Sequence, residues 1–235
     1  MVVRTAGAVT EIAKRVDAVC ARVAEAAGRA GRDPAEVTIV AVAKTFPPEA
    51  ISTAVDAGIN DIGENRVQEL RSKQSVLDDP RIRWHFVGSL QLNKVRHVAG
   101  SVVLIHGVDS PELAGEIARR AERRGIEQDL LLQVNVSGET SKHGVRPEDA
   151  LGVADAIAGA PGAQLRGLMT IPPAGDPDAS RRAFAALRAL RARIASEHPG
   201  AVGLSMGMSD DFEIAIEEGA THVRIGRALF GPREG

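Results

Sequence analysis

Val40-Ala41-Val42-Ala43-Lys44-Thr45 is a short apolar run that ends on a lysine and a threonine. Small and β-branched residues, with no Gly or Pro inside the run and with Pro47 and Pro48 just beyond it, indicate a buried β-strand over residues 38–44. A lysine at the mouth of such a strand has two interpretations. Its stem can pack while its ammonium reaches water, or partial burial can lower its pKa so that the amine reacts with an aldehyde.

The pattern of this first strand recurs along the chain, each time followed by a helical pattern. Seven further strand candidates cover residues 61–63, 83–88, 102–107, 129–136, 165–170, 203–206 and 222–226. Helical patterns cover residues 48–57, 65–77, 90–98, 111–124, 147–160, 178–197 and 210–218, and an alanine-rich amphipathic helix over residues 8–30 precedes them. Eight strands alternating with helices predict an α/β protein, a single (β/α)8 TIM barrel with an extra N-terminal helix, formed as one domain by residues 1–235.

A doubly wound sheet is the main alternative to the barrel. It would place a glycine-rich fingerprint in the turn after the first strand, because a dinucleotide's phosphates approach the backbone there. That turn reads Lys44-Thr45-Phe46-Pro47-Pro48 and contains no glycine. The sequence therefore favours the barrel.

Local signals mark the ends of two of the helices. Ser110 stands directly before Pro111, which is the favoured N-cap followed by proline at the first helical position, and Gly125 closes the same helix. Asp210 with Glu213 resembles a capping box, which predicts that the seventh helix begins there.

Composition excludes several classes of function. The 235 residues carry a net charge of -2 and only 3% aromatic residues, so the basic surface and stacking platforms of nucleic-acid-binding proteins are missing. The single cysteine, Cys20, cannot form an internal disulfide, and no Cys/His cluster has metal-ligand spacing. The N-terminus lacks a basic region followed by an apolar run, and no stretch is long enough to span a bilayer, so we expect a cytoplasmic protein.

Side-chain alternation places several polar residues inside the predicted barrel, near its C-terminal end. In the fifth strand Gln133 and Asn135 alternate with apolar residues, and His85 alternates with Trp84 and Phe86 in the third. Arg224 faces inward in the eighth strand by the same reasoning. Lys44, His85, Asn135 and Arg224 are therefore expected near the mouth where barrel enzymes place their chemistry. Alternatively, His85 is a satisfied core histidine and Asn135 bonds a neighbouring loop.

Two neighbouring turns indicate an anion site. Ser205-Met206-Gly207-Met208-Ser209 runs from the seventh strand into a helix, and Arg224-Ile225-Gly226-Arg227 leads from the eighth strand into another. The loops after strands seven and eight are the usual phosphate site of this fold, and Gly226 lets the backbone approach closely. The alternative is two ordinary turns. Asp210 and Asp211 would repel an anion unless they turn to solvent.

An aldehyde-reactive lysine beside a phosphate cradle describes a site for pyridoxal 5'-phosphate. Further motifs agree with that description: Ala41-Val42-Ala43-Lys44-Thr45, Ile62-Gly63-Glu64-Asn65, Trp84-His85-Phe86-Val87-Gly88-Ser89-Leu90-Gln91-Leu92-Asn93-Lys94, Asn135-Val136-Ser137-Gly138-Glu139 with Lys142 and Gly144, Leu168-Met169-Thr170, Ser205-Met206-Gly207-Met208-Ser209-Asp210-Asp211 and Arg224-Ile225-Gly226. With these motifs the chain resembles, over residues 37–231, the YggS/PROSC-type pyridoxal phosphate homeostasis proteins.

The resemblance implies a barrel related to the N-terminal domain of alanine racemase and assigns roles within it. It implies that Lys44 holds pyridoxal 5'-phosphate as a Schiff base and that Arg224 lies near the ring nitrogen or the phosphate. The phosphate would be bound by the residues after strands seven and eight: Ser205, Met206, Gly207, Ser209, Gly226 and Arg227. Asn65 and His85 match family positions near the cofactor. At Arg227 members of the family commonly carry threonine, so a hydroxyl donor is lost while the backbone N–H remains.

The resemblance also implies a role in cofactor homeostasis, in which the protein holds the aldehyde and supplies it to apo-enzymes without robust catalysis. Racemisation of the alanine racemase type is the main alternative. That reaction uses the cofactor lysine and a tyrosine on opposite faces of the substrate. This chain has no tyrosine, and we expect no second domain after strand eight. An arginine at the pyridine nitrogen would also weaken the ring as an electron sink.

Three further expectations concern competing chemistry, release and assembly. A Schiff-base aldolase using Lys44, or a binding module for another anion, would also fit a lysine beside a phosphate cradle. Release of the cofactor could proceed by transimination with an amino acid, or through Lys142, although a loop lysine is usually solvated. We expect a monomer by analogy, because the second domain that dimerises the racemases is missing.

Overall fold

The eight strands close into one parallel barrel, which confirms the predicted (β/α)8 fold. The computed structural model describes residues 6–139, 142–173 and 175–232, and for residues 6–10 it describes the backbone alone. The strands, in the order in which they pair around the barrel, are β1 Thr38–Val42, β2 Asp61–Glu64, β3 Arg83–Phe86, β4 Leu104–Val108, β5 Gln128–Gln133, β6 Ala163–Met169, β7 Gly203–Ser205 and β8 His222–Ile225.

Helices follow most of the strands and surround the barrel. The helices are α1 Ala6–Arg29, α2 Pro48–Asp56, α3 Val67–Gln74, α4 Pro111–Glu122, α5 Ala150–Ala158, α6 Pro177–Glu197, α7 Phe212–Glu217 and α8 Arg227–Phe230. The extra N-terminal helix α1 packs along α2, α7 and α8. Its buried stripe of Val16, Val19 and Val23 follows helical spacing, so apolar burial holds it against the barrel's helical layer.

Strands β1 and β8 pair with each other and complete the barrel. In their register Val40 lies level with Arg224, and Ala41 lies level with Ile225. Lys44 follows the end of β1 by two residues, in the turn whose Phe46 N–H donates to the Ala43 carbonyl at 3.0 Å. The predicted strand over residues 38–44 therefore stops at Val42, and Lys44 and Arg224 approach the same rim from adjoining strands.

The alternation of side chains along the strands divides the interior into two regions. Ala41, Ala43, Val223 and Ile225 belong to the large apolar core between the strands and the helices. Leu104, Leu131 and Met169 form a separate small cluster. Arg224 is buried on the opposite side of β8 from Val223 and Ile225, which confirms its predicted inward orientation.

The helical pattern predicted over residues 90–98 corresponds to a shorter helix in the structure, and that helix is not an α-helix. The segment folds as a 3-10 helix, Leu92–His97, with Lys94 N–H donating to the Gln91 carbonyl at 2.9 Å. Its end is held from outside, because the Arg124 guanidinium donates to the carbonyls of Ala99 and Arg96. Those contacts replace the bonds that a longer α-helix would have made.

One of the two predicted helix starts is confirmed and the other is wrong. Ser110 caps α4, because its hydroxyl accepts the Leu113 N–H at 3.2 Å. The predicted capping box of Asp210 and Glu213 does not form, because α7 begins at Phe212 with Asp211 as its N-cap and no side-chain cap bond. Asp211 Oδ1 accepts the Met208 N–H at 2.6 Å instead, which fixes the turn before the helix.

Among the described residues, no helix has both the length and the apolar character that crossing a membrane requires.

Candidate functional site

A cavity of about 600 Å³ opens at the C-terminal ends of the strands. Its lining brings together six of the predicted site residues: Lys44, Asn65, Ser209, Arg224, Gly226 and Arg227. Val42, Phe46, Gly88, Gln133, His143 and Met208 are among the residues that complete the wall. The volume lies in the range of ordinary small-ligand sites, and the position is where barrels of this kind place their chemistry.

The Lys44 turn is fixed from helix α3. The Lys73 ammonium donates to the Ala43 carbonyl at 2.7 Å, and the Thr45 N–H donates to Glu69 Oε2 at 2.7 Å. Thr45 has a φ of 69°, the left-handed region that a β-branched residue rarely adopts. Such a conformation persists only where surrounding contacts hold it in place. The hydrogen bonds from α3 therefore fix the backbone conformation of Ala43 and Thr45, on both sides of Lys44.

A buried ion pair lies directly behind this turn. Lys73 Nζ is 2.5 Å from Glu64 Oε1, and the side chains of the two residues are 8% and 0% exposed. Burial raises the pKa of the Glu64 carboxyl, although the Lys73 ammonium acts in the opposite direction. Among the described residues, Glu64 Oε2 receives no hydrogen bond. Only one oxygen of the buried Glu64 carboxylate is therefore paired, and Lys73 is the residue that compensates its charge.

Arg224 forms part of the cavity floor and is anchored by two contacts. Its guanidinium donates to Ser205 Oγ at 2.6 Å and to the Thr170 carbonyl at 2.9 Å. The residue is 5% exposed, and burial lowers the pKa of the guanidinium to about 10, with Asp211 acting in the opposite direction. Arg224 therefore remains positively charged at neutral pH and can present its remaining N–H groups to a ligand.

Below Arg224 the barrel interior contains a row of hydrogen-bonded polar side chains. His106 Nδ1 lies 2.8 Å from Ser205 Oγ, His106 Nε2 lies 3.0 Å from His85 Nδ1, and His85 Nε2 lies 2.8 Å from Asp61 Oδ1. All four residues are less than a tenth exposed. Burial lowers the pKa of His106 well below its usual value, and His85, His222 and Arg224 add to the effect.

The two turns predicted to bind an anion meet at one side of the cavity. The Ala228 N–H of α8 donates to Ser209 Oγ at 3.2 Å, which ties the turn after β7 to the turn after β8. Asp210 is 81% exposed and pairs with Arg227, with an Nη2 to Oδ2 distance of 2.5 Å. Asp210 therefore turns to solvent as the anion site requires. Asp211 is half-buried and accepts the Met208 N–H and the Ser180 hydroxyl instead, so for this second carboxylate the expected turn to solvent does not occur.

Four predicted site residues lie outside the cavity lining. His85 and Ser205 belong to the buried row beneath it, and His85 corresponds to the satisfied core histidine that was the alternative interpretation. The Met206 side chain is part of the apolar core. Gly207 has a φ of 91°, and a Cβ there would lie 2.5 Å from Ala215 Cβ, so this glycine allows the turn to pack on α7.

Asn135 and Lys142 organise the loop after β5. Asn135 Nδ2 donates to the Glu139 carbonyl at 2.8 Å, and its Oδ1 accepts the Ser137 hydroxyl at 3.1 Å. Lys142 Nζ pairs with Glu139 Oε1 at 3.0 Å. Neither residue is in the cavity lining, so the expectation that Asn135 projects into the mouth is wrong and its loop-bonding alternative is confirmed.

Three residues of the site had no predicted role: His106, Lys73 and Glu64, the last of which belongs to the motif Ile62-Gly63-Glu64-Asn65. His106 alternates with the core residue Ile105, as Arg224 alternates with Val223 and Ile225, so its inward orientation was readable from β4. Glu64 and Lys73 gave no such signal, because their contact depends on how α3 packs against the barrel.

The cavity has features that suit a flat, anionic ligand. Lys44, Arg224 and Arg227 supply positive charge. Among the described residues of the lining, Asp210 alone carries a carboxylate, and it is paired with Arg227. Asn65 Oδ1 is shielded from solvent and takes no hydrogen bond from any described residue, which leaves a polar atom available at the wall. The described parts of the chain hold no group of three or more His, Cys, Asp or Glu side chains suited to a metal ion.

Comparisons with known proteins agree with this geometry. The family model for "Alanine racemase, N-terminal domain" matches residues 15–234. Proteins described as "Pyridoxal phosphate homeostasis protein" from Aquifex aeolicus and Pseudomonas aeruginosa are each 46% identical to this chain, over 94% and 95% of it and over 98% and 96% of their own lengths.

Two solved structures place the fold. PipY of Synechococcus elongatus, solved with PLP bound, has a TM-score of 0.82 and 37% identity, covering 94% of this chain and all of its own (100%). Alanine racemase of Clostridium difficile has a TM-score of 0.74 at 12% identity, covering 94% of this chain and 58% of the racemase, so it shows the fold alone. The chain belongs to the pyridoxal phosphate homeostasis protein family, built on the alanine racemase N-terminal barrel.

Proposed function

We propose that this protein binds pyridoxal 5'-phosphate covalently through Lys44 and acts in cofactor homeostasis. The observation that carries the proposal is the convergence of Lys44, Arg224 and Ser209 on one cavity of about 600 Å³. The relatives that share 46% identity are named for this role, and the PipY structure contains PLP.

The residues of the chain divide the work of binding. When bound, the cofactor supplies an aldehyde that condenses reversibly with a primary amine and releases one water. Lys44 supplies that amine, and the turn of Ser209 with Gly226 and Arg227 would hold the phosphate. Arg224 has only hydrogen-bond donors, so it would donate to an acceptor such as the pyridine nitrogen without protonating it. Asn65, which also lines the cavity, would contact the ring.

The same residues favour a carrier over a racemase. Racemisation needs acid and base groups on opposite faces of the substrate carbon, and the chain contains no tyrosine to serve as the second group. Holding Arg224 at the ring nitrogen would also oppose the ring protonation that stabilises a carbanion. We propose that the protein stores the reactive aldehyde and delivers it to apo-enzymes, acting as a monomer through transient contacts.

Spectral titration tests the binding step. Adding pyridoxal 5'-phosphate to the wild-type protein should produce a visible absorption band that persists through gel filtration. Lys44→Ala should lose the band, whereas Lys142→Ala should keep it, because Lys142 pairs with Glu139 outside the cavity. An aldolase would remain colourless, and a module for another anion would retain its ligand after Lys44→Ala.

Two assays separate the carrier from an enzyme. In the presence of an amine that traps free cofactor, the loaded protein should restore activity to an apo-enzyme. An equal concentration of free pyridoxal 5'-phosphate, added with the same amine, should restore it more slowly. Brisk conversion of L-alanine to D-alanine by the loaded protein would contradict the carrier assignment.

A further inference from the structure

Five side chains form an unbroken row of hydrogen bonds across the barrel interior. From the cavity inward they are Arg224, Ser205, His106, His85 and Asp61. The four contacts measure 2.6, 2.8, 3.0 and 2.8 Å in that order. The strands that carry them, β8, β7, β4, β3 and β2, come from different parts of the chain, so the row exists only once the barrel is closed.

The two ends of the row have fixed hydrogen-bonding roles. The Arg224 guanidinium can only donate, and an ionised Asp61 carboxylate can only accept. Burial acts to raise the pKa of Asp61, but hydrogen bonds from His85 and Arg83 outweigh it and the pKa is lowered. The row therefore runs from a permanent cation to a carboxylate that is charged at neutral pH.

These fixed ends determine the protons in between. His85 must donate from Nε2 to Asp61, so in a neutral ring its Nδ1 accepts. His106 must then donate from Nε2 to His85 and accept at Nδ1, which leaves Ser205 as the donor to His106. Ser205, His106 and His85 each accept one hydrogen bond and donate one. All four bonds of the row then run in the same direction, from Arg224 to Asp61, which strengthens each of them.

We propose that His106 is a positioning residue for the cofactor cavity. Its Nδ1 atom takes the Ser205 hydroxyl hydrogen, which turns the Ser205 lone pairs toward Arg224 and anchors the guanidinium at the cavity floor. His85 and Asp61 hold His106 in the required tautomer. The part of the inference that concerns pyridoxal 5'-phosphate rests on the proposed function, whereas the tautomers belong to the protein alone.

The alternative arrangement of protons in the row would reverse the direction of the bond between His106 and Ser205. If the histidine pair carried an extra proton, His106 would donate from Nδ1 to Ser205, and the Ser205 oxygen would receive two donors. A second positive charge would then lie in the barrel beside Arg224, close to His222, whose ring centroid is 5.9 Å from that of His106. Arg83, paired with Asp61, lies at the far end.

Nitrogen NMR of the protein labelled with 15N-histidine, prepared without cofactor at neutral pH, tests the tautomers directly. We expect both His106 and His85 to show a protonated Nε2 and an unprotonated Nδ1, with assignments from His106→Gln and His85→Gln. His198, which bonds Asp155 at the surface, serves as the reference. A protonated Nδ1 on His106, or an imidazolium signal from either ring, would overturn the proposal.

Variants of His106 connect the row to the ligand. Gln keeps one donor and one acceptor, whereas Leu keeps neither. His106→Leu should therefore weaken binding of pyridoxal 5'-phosphate by about tenfold, the size expected when one buried hydrogen bond is lost. His106→Gln should recover most of that loss, and His97→Gln, on the 3-10 helix, should match wild type. Wild-type affinity in His106→Leu would overturn the positioning role.

Two further measurements distinguish failure of the positioning role from misfolding of a variant and from failure of the proposed function. If His106→Leu does not fold, Ser205→Ala interrupts the same row, and wild-type affinity and an unchanged visible band in that variant would also overturn the inference. If the wild-type protein takes up no pyridoxal 5'-phosphate, the proposed function fails, while the nitrogen spectra still decide the tautomers.

Discussion

The backbone oxygen of Ala43 accepts a hydrogen bond of 2.7 Å from the Lys73 ammonium, so helix α3 fixes the residue directly before Lys44. The same ammonium neutralises Glu64, and Glu69 takes the Thr45 N–H on the other side. The backbone on both sides of Lys44 is thus held by a cluster of charged side chains from α3 and β2. We expect substitutions in that cluster to change both the cofactor binding of Lys44 and the stability of the barrel rim.

Lys73→Met should destabilise the protein by about 3–5 kcal/mol at neutral pH, because it leaves the Glu64 carboxylate buried and unpaired. Since burial already raises the pKa of Glu64, the loss should be smaller in mildly acidic buffer, where the carboxyl takes up a proton. Urea denaturation at two pH values measures both effects, with the exposed Lys94→Met as the control. An equal loss of stability at both pH values would contradict this explanation. Wild-type affinity for the cofactor in Lys73→Met would also contradict it.

Gly88→Ala should distort the cavity wall. A Cβ at this position would lie 2.3 Å from the Asn65 carbonyl oxygen and 2.8 Å from its Cα, and backbone cannot move aside cheaply. We expect a loss of about 1–3 kcal/mol and weaker cofactor uptake through displacement of Asn65. Gly115→Ala in α4 is the matched control. It has nothing within 4 Å of the added Cβ and should gain about 0.5–1 kcal/mol from helix propensity. Equal effects of the two substitutions would refute the steric argument.

Stability should fall as the pH drops from about 6.5 to about 4. Burial lowers the pKa of His222 to about 4, so over this range the unfolded chain binds a proton that the folded protein does not. The shift corresponds to at most about 3 kcal/mol from His222, and His106 changes stability in the same direction. His222→Gln should flatten the dependence, measured as the free energy of unfolding at a series of pH values. Parallel curves for the variant and wild type would show that His222 is not held neutral.

Arg227→Ala should leave stability within about 0.5 kcal/mol of wild type, because its pair with Asp210 is exposed and such pairs contribute little. Arg227 lines the cavity, so the variant should bind pyridoxal 5'-phosphate less tightly and with a weaker dependence on salt. Titrations at low and high ionic strength measure this, with Arg146→Ala, an exposed pair with Asp149, as the control. An unchanged salt dependence would show that Arg227 does not face the phosphate.

The parts of this site that repeat with strand periodicity were predictable from the sequence. Alternation placed Arg224 and Gln133 inside the barrel, and the apolar run before Lys44 placed it at the rim, because both depend on local pattern and on the closed topology. His85 followed the same alternation, but the sequence did not say how deep in the barrel it would lie.

The remaining features depend on packing between distant segments. The row from Arg224 to Asp61 requires the register of five strands, and the contact of Lys73 with Ala43 requires the docking of α3, neither of which periodicity determines. The apparent capping box at Asp210 was wrong for a local reason. Arg227 draws Asp210 outward, and Asp211 takes the Met208 N–H instead.

Mass mapping after borohydride reduction shows whether Lys44 carries the cofactor. Hydride adds to the carbon–nitrogen double bond between the amine and the cofactor and makes the link permanent, so digestion then identifies the modified lysine. At one equivalent of pyridoxal 5'-phosphate, the account predicts a single modified peptide carrying Lys44, and no modification in Lys44→Ala. Modification spread over surface lysines, or an unmodified Lys44 in protein that retains the cofactor, would contradict it.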